Sequence, residues 1–531
     1  MTMDASSSSF DPPAAVLDGF WLPASLRQNV LKEAAFEIRY LKGGALLEEP
    51  TPGAVAVRWP VLDAYQWQVL QSGLQAARKL DTHSFLARWG QALEFCLPDL
   101  PKKLEEILPY LATATGYSPE MLLRGFLSGS LSQVNSIAAG LSYRPDRANA
   151  AGWQSIPGLP GKLHFYPHLP ENRLARLLPR LGGQAAFYRP ATPTAQALCL
   201  AAGNVPGTAF LVALLGGLAN AAYAEAPAPA LLVRNSRHEP LFAPWLFSMI
   251  EGADPELVAA TAILAWDYDD LNLQARLIAG SEFVIAAAGD DTMLAIDQVI
   301  RKANPAARFH KHGHKVSFSA IGREYAGVEE TAALGALDSS LWDQNGCLSA
   351  RVHFVEGEAA AYAANLAKAM GDLSREIPRG ATPRRFVHRA FDTFFSLEKT
   401  GKVKVFSGYD DPFAVILETR PWDADAFRRV TNACVGRVAV VRPVQDLSEI
   451  GGYLRRLPPE NLQTVGLACE AGRLLPLAEL AGSAGVTAVR SLGRAAFPQL
   501  AYSWDGYLPL DTAFLRPEGH WTGLEVDAGE I

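Results

Sequence analysis

Apolar positions change their period along the chain. Up to about residue 145 they follow helical spacing, as in Tyr65–Leu80, Ser84–Phe95 and Lys103–Thr115. One alternating stretch before them, Ala54-Val55-Ala56-Val57-Arg58, predicts a strand. From about residue 185, short apolar runs alternate with helical segments, the pattern of a parallel α/β sheet. Ala197–Ala202 predicts a strand, Gly203-Asn204-Val205-Pro206-Gly207 its turn, and Thr208–Leu218 the helix behind it. Leu231-Leu232-Val233, Ala262–Trp266 and Phe283–Ala288 predict further strands; Pro240–Ile250, Glu256–Ala260 and Asp290–Lys302 predict helices. Beyond Cys347 a second α/β unit follows. Ala350–Val355, Arg437–Val444, Gln463–Ala468 and Thr487-Ala488-Val489 predict its strands, with helices over Asp446–Arg456 and Leu474–Ala484. Tyr143–Pro167, rich in Gly, Pro and Asn, reads as a linker.

Parallel sheets bind ligands beyond the carboxyl ends of their strands. Asn204, Arg234, Trp266 and Gly289 fall at such ends. No G-x-G-x-x-G occurs, so any dinucleotide would be held without the usual fingerprint.

Composition narrows the class. The 531 residues are 49% hydrophobic and 19% charged, ordinary for a globular chain with two or three domains. A net charge of −7 argues against general nucleic-acid binding. Five widely spaced cysteines without a CxxC point to neither a disulfide framework nor a zinc ribbon, and fit a reducing cytoplasm. Ser6–Ser9 lie in a tail without the basic and apolar regions of a signal peptide. The most apolar segment, Ala197–Tyr223, is broken by Gly203–Gly207 and Gly216-Gly217, which argues against a membrane span there. Asp372–Lys404 holds eight Lys or Arg against four Asp or Glu; it is a solvated face or a dock for an acidic carrier or the phosphates of coenzyme A. His310, His312 and His314 would share one face of a strand, but no carboxylate or cysteine stands near at ligand spacing. No metal is expected; a turn closing a strand is the better reading.

The candidate chemistry lies in Leu341-Trp342-Asp343-Gln344-Asn345-Gly346-Cys347-Leu348-Ser349. Leu334, Leu337 and Leu341 form a helical stripe leading into it, Gly346 breaks the pattern, and a strand follows. Cys347 therefore sits on a turn where backbone N–H groups would lower its pKa and stabilise an oxyanion. Read alone, such a cysteine is more often a buried structural residue, and it is the rest of the chain that changes the reading.

Together, Gly203–Gly207, His312-Gly313-His314-Lys315-Val316-Ser317-Phe318, Trp342–Ser349, Leu462–Ala468 and Trp504-Asp505-Gly506 resemble, in order, the acyl-CoA reductase family of bacterial bioluminescence systems (LuxC-like), a branch of the aldehyde dehydrogenase superfamily. The resemblance implies an aldehyde-dehydrogenase-like α/β fold. It would comprise a mainly helical N-terminal region (1–150), a Rossmann-like NADP-binding domain (151–315), a catalytic α/β domain carrying Cys347 (316–500) and a C-terminal tail (501–531). It implies Cys347 as nucleophile and Asn204 as an oxyanion-hole amide. Arg234, Ser236, Arg237, Trp266 and Gly289 become candidate cofactor-binding residues, and two arginines favour NADPH through its 2′-phosphate. It places Lys311 where hydrolytic relatives carry a Glu general base, so the acyl-enzyme is expected to yield to hydride and not to water. The implied substrate is an acyl-CoA or acyl-carrier protein, with an acyltransferase or synthetase as partner and a homo-oligomeric assembly. The rivals are an NAD(P)-dependent aldehyde dehydrogenase and a non-catalytic scaffold. The scaffold reading draws on Asp267-Tyr268-Asp269-Asp270, which puts carboxylates near the expected pyrophosphate.

Overall fold

The structure, a computed structural model, describes residues 16–137, 162–167, 192–497, 504–507 and 521–526, apart from positions 97, 135, 224 and 382–384. The serine-rich start and residues 143–161 of the expected linker lie outside the described residues.

Three sheets organise the described residues. The N-terminal region is not simply helical. It opens with a four-stranded sheet of β1 (Val16–Asp18), β2 (Ala35–Lys42), β3 (Ala45–Leu47) and β4 (Val55–Val61), in the order β1-β4-β2-β3. Helices over Ala64–Ala76, Thr82–Cys96, Leu100–Thr115 and Pro119–Ser128 follow. Asp63 starts the first of them with a capping box, accepting from Gln66 N at 2.8 Å while Gln66 Oε1 accepts from Asp63 N at 2.9 Å.

The second sheet is wholly parallel: β6 (Gln196–Leu200), β7 (Ala230–Arg234), β8 (Thr261–Leu264), β9 (Phe283–Ala287) and β10 (Arg308–His312), in the order β10-β9-β6-β7-β8. Strands β6 to β9 are buried along their length, because helices cover both faces. The strand order reverses around β6, which puts Asn204 at a topological switch point.

The third sheet contains, among the described residues, β5 (Lys162–Pro167), β11 (Val316–Ile321), β12 (Ala350–Glu356), β13 (Val403–Val405), β14 (Ala414–Glu418), β15 (Val438–Val444), β16 (Leu462–Ala468), β17 (Ala488–Ser491) and β18 (Trp521–Val526). Their order is β13-β14-β15-β12-β11-β16-β17-β18-β5. Its interior pairs are parallel and both edge pairs, β13–β14 and β18–β5, are antiparallel. The chain crosses from the second sheet to the third between His312 and Val316.

Three expectations need correction. The segment 501–531 is no simple tail, since β18 adds a strand beside β17. Lys162–Pro167, read as linker, pairs with it. The stripe leading to Cys347 is also different: the helix Glu329–Ser340 buries Thr331, Ala332, Gly335, Ala336 and Asp338, while Leu334 is 44% exposed. Small residues let this helix pack closely on the neighbouring helix Ala359–Glu376; a Cβ on Gly335 would come within 2.2 Å of the Tyr362 hydroxyl. No helix among the described residues is long and apolar enough to cross a membrane.

Candidate active site

A cavity of about 980 Å³ lies between the carboxyl ends of the second sheet's strands and the amino ends of β11, β12, β16 and β17 in the third, at the upper end of the range for small-molecule and cofactor sites. Asn204, Arg234, Ser236, Arg237, Gly289 and Cys347 all line it. Trp266 does not. Its ring is buried edge-on against Trp67, and only its carbonyl contributes, accepting from Arg234 Nε at 3.1 Å and Nη2 at 2.8 Å.

The Cys347 end rests on an unusual backbone. Trp342, Asp343 and Gln344 have φ of 55°, 48° and 61°, three consecutive non-glycine residues in the left-handed region. Each such residue costs on the order of 1–3 kcal/mol, tolerated only where surroundings over-determine it. Here they do. The buried Asp343 carboxylate pairs with buried Arg437 at 2.8 Å and accepts from Gly380 N at 3.0 Å. Gln344 bonds the Ala350 carbonyl and both polar backbone groups of Val438. Trp342 packs so tightly on the helix Pro119–Ser128 that a Cβ on Gly125 would come within 2.1 Å of its ring. The Cys347 carbonyl accepts from Ser317 Oγ on β11 at 2.7 Å.

Cys347 is partly exposed, whereas Cys96, Cys199, Cys434 and Cys469 are buried. Its thiol is not activated by the turn alone, contrary to expectation. Burial and the Asp505 charge push it up to about 11, against the opposing pull of the Gln463 side chain and Lys315.

Asn204 faces this turn from the end of β6. Gly203 has no room for a side chain, since a Cβ would lie 2.1 Å from Ser236 Oγ, and Gly207 needs its φ of +88° to start the next helix. Asn204 Nδ2 donates to the Asn345 carbonyl at 2.9 Å. Tyr117, from the N-terminal region, ties both loops: its hydroxyl donates to the Asn204 carbonyl at 2.6 Å and accepts from Asn345 Nδ2 at 3.3 Å. No sequence pattern marks Tyr117 for this role.

At the opposite end the charges are already paired. Arg234 is buried, with its guanidinium 3.5 Å from the ring centre of Tyr268. Arg237 pairs with Asp267 at 2.7 Å and with Glu37 on β2 at 3.0 Å. Asp270 caps the helix Leu271–Ala279 through Leu273 N at 3.0 Å. The acidic loop therefore serves the protein's own arginines and a helix start.

Lys311 needs the clearest correction. Side chains alternate along β10, so His310 and His312 turn inward and Lys311 outward. Its ammonium group pairs with Asp297 at 2.8 Å and does not line the cavity. The inward position belongs to His312, whose Nδ1 lies 2.9 Å from Asp505 Oδ2. His310 stacks on Tyr507 and His312 on Trp504, so the 504–507 turn closes over this strand. Among the described residues no group of three or more His, Cys, Asp or Glu is placed to hold a metal.

Comparison with known proteins gives the family and the fold. The family described as acyl-CoA reductase (LuxC) matches residues 175–516. No curated protein matches the sequence. Among solved structures, aldehyde dehydrogenase 21 from Physcomitrella patens is 12% identical over 93% of this chain and 99% of its own, with a TM-score of 0.57. An NADP-dependent enzyme from E. coli is 13% identical over 92% and 95%, also at 0.57. The Δ-pyrroline-5-carboxylate dehydrogenase of Mycobacterium tuberculosis is 11% identical over 98% and 96%, at 0.56. At these identities they show a shared aldehyde dehydrogenase fold.

Proposed function

The chain belongs to the acyl-CoA reductase (LuxC) family, and from that premise we propose that it reduces an acyl thioester, carried on coenzyme A or an acyl-carrier protein, to an aldehyde with NADPH. The observation that carries this reading is the juxtaposition of Cys347, the partly exposed cysteine, with the Asn204 loop in one cavity. Cys347 attacks the thioester carbon and keeps the acyl group as its own thioester. An amide NH₂ carries two donors, and Asn204 commits one to Asn345; the other is available to the oxyanion, together with the backbone N–H of residue 347. A nicotinamide cofactor, when bound in this cavity, would supply the hydride needed to discharge the acyl group from Cys347 as an aldehyde.

The residues at hand fit such a cofactor. The cavity runs from the Arg234–Arg237 segment past Gly289, where a Cβ would meet nothing within 4 Å, to Cys347. In this reading the second sheet is the cofactor domain, the third the catalytic domain, and Arg234, Ser236 and Arg237 hold the adenosine ribose and its 2′-phosphate. A second reading, NADH, is favoured by one observation: Glu37 and Asp267 already neutralise Arg237, and carboxylates there suit a free ribose hydroxyl.

The test is mass spectrometry of the protein mixed with a panel of acyl-CoAs, first without cofactor and then with NADPH or NADH. Acylation at Cys347, absent in Cys347→Ala, followed by aldehyde release on adding cofactor, is the expected result. A label on Cys96, Cys199, Cys434 or Cys469, or rapid cofactor-independent release of free acid, would reject it.

A further inference from the structure

The thiol of Cys347 needs a base, and a buried imidazole–carboxylate pair lines the same cavity. His312 ends β10 with its side chain 3% exposed, and Nδ1 lies 2.9 Å from Asp505 Oδ2. Burial pushes the Asp505 carboxyl up, but the His312 hydrogen bond and the Lys315 charge outweigh it and hold the group below its ordinary value. An ionised carboxylate can only accept, so Nδ1 donates and Nε2 is left as the lone-pair nitrogen. Nε2 is buried without a hydrogen-bond partner. An orphaned polar atom of this kind is costly, and native proteins rarely keep one without a use. The ring also stacks on Trp504 with centroids 3.9 Å apart, which holds its plane. Gln463 donates to Asp505 Oδ1 and lines the same cavity as Cys347.

We propose that His312 is the general base and then the general acid of acyl transfer at Cys347, with Asp505 and Gln463 as positioning residues. This rests on the reading of Cys347 as nucleophile. As the Cys347 S–H bond breaks, its proton passes to His312 Nε2. The sulfur bonds to the acyl carbon of the incoming thioester. The carrier's C–S bond then breaks, and Nε2 returns the proton to the departing sulfur. The imidazole ends neutral, and no oxidant or reductant is consumed. Asp505 keeps the tautomer and stabilises the transient imidazolium, as a carboxylate does beside a catalytic histidine.

The charged and titratable groups facing the pair are Cys347, Lys315, Arg351, Arg490, Tyr507, His310 and His314. Lys315 donates to the Glu460 carbonyl at 2.6 Å, and His310 is stacked on Tyr507. His314 is a poorer base, because burial and Arg351 lower its pKa.

Two rates measured from about pH 6 to about pH 9.5 test the proposal in the full chain: alkylation of Cys347 by iodoacetamide, which needs no acyl substrate, and acylation by an acyl-CoA. His312→Gln should slow acylation at neutral pH by roughly 10²–10⁴-fold, the usual worth of general-base help. Both rates in that variant should then climb about tenfold per pH unit, following the thiolate fraction, so the deficit narrows as pH rises. Asp505→Asn should give a smaller loss with an altered pH profile. A folded His312→Gln protein whose rates are unchanged, or reduced by one constant factor at every pH, would overturn the proposal. If the unmodified protein alkylates in a His312-dependent way yet is never acylated, the base assignment stands and the acyl-thioester reading fails.

Discussion

At the Cys347 end of the cavity the chain holds an uncharged nucleophile by backbone geometry. At the Arg234–Arg237 end it holds two cations with its own carboxylates, carbonyls and rings. The first end is over-determined: three left-handed residues, a buried ion pair and a tightly packed indole fix the turn before Cys347. The second end is balanced: Arg237 divides its guanidinium between Glu37 and Asp267, and the Asp267 side chain is 65% exposed. Geometry cannot be retuned at the first end, whereas charge can at the second. Substitutions at the first end should therefore cost stability and rate, whereas those at the second should shift preference.

The largest effect is expected from breaking the support of the turn. Asp343→Ala leaves Arg437 buried and unpaired, a situation that costs roughly 3–5 kcal/mol. That is a large share of the roughly 5–15 kcal/mol that keeps a protein folded. Chemical denaturation should show it, together with lost Cys347 acylation. A denaturation midpoint close to that of the unmodified protein would mean the turn is held by its other contacts.

Next comes Asn204→Ala. Removing one oxyanion donor costs roughly 10²–10³ in rate. It also removes the hydrogen bond to the Asn345 carbonyl, so the fold must be checked by thermal unfolding beside the acylation rate. An intact fold with an unchanged rate would take Asn204 out of the oxyanion hole and leave it a loop tie.

The contrast also explains what could be read in advance. Strands of the second and third sheets were legible because runs such as Ala197–Leu200 and Val438–Val441 are continuously apolar, as strands buried on both faces must be. The turn carrying Cys347 was legible from Gly346 and the strand after it. The acid–base position was not. A shift of one residue along a strand exchanges its faces, and sequence matching chose Lys311 where the inward side chain is His312. Asp505 is 193 residues away in sequence, so only the folded chain brings it to His312. The first sheet left a signal that helical spacing nearby obscured: Phe36, Ile38 and Tyr40 alternate with Glu37 and Arg39. Missing it hid Glu37, the carboxylate that reaches Arg237.

The smallest expected effect, and the one that most sharpens the comparison, is a change of cofactor preference. Glu37 is shared between Arg39 at 2.8 Å and Arg237 at 3.0 Å, with its side chain 19% exposed, whereas Asp267 is mostly in solvent. A 2′-phosphate approaching Arg237 must compete with both carboxylates and meets their repulsion. Neutralising them in Glu37→Gln/Asp267→Asn keeps side-chain shape, removes two negative charges and frees the guanidinium fork for bidentate phosphate contact. The double variant should bind NADPH more tightly relative to NADH by about tenfold, equivalent to about 1.4 kcal/mol. Most of that gain should come from Glu37, since solvent screens Asp267 and exposed pairs are worth little. The gain should shrink as salt is raised, because ions screen the exposed part of the site. Titration of intrinsic fluorescence with each cofactor, in the unmodified protein, both single variants and the double variant, gives the four ratios. A ratio that stays constant across all four proteins would place the ribose away from Arg237 and remove the electrostatic basis for either cofactor preference.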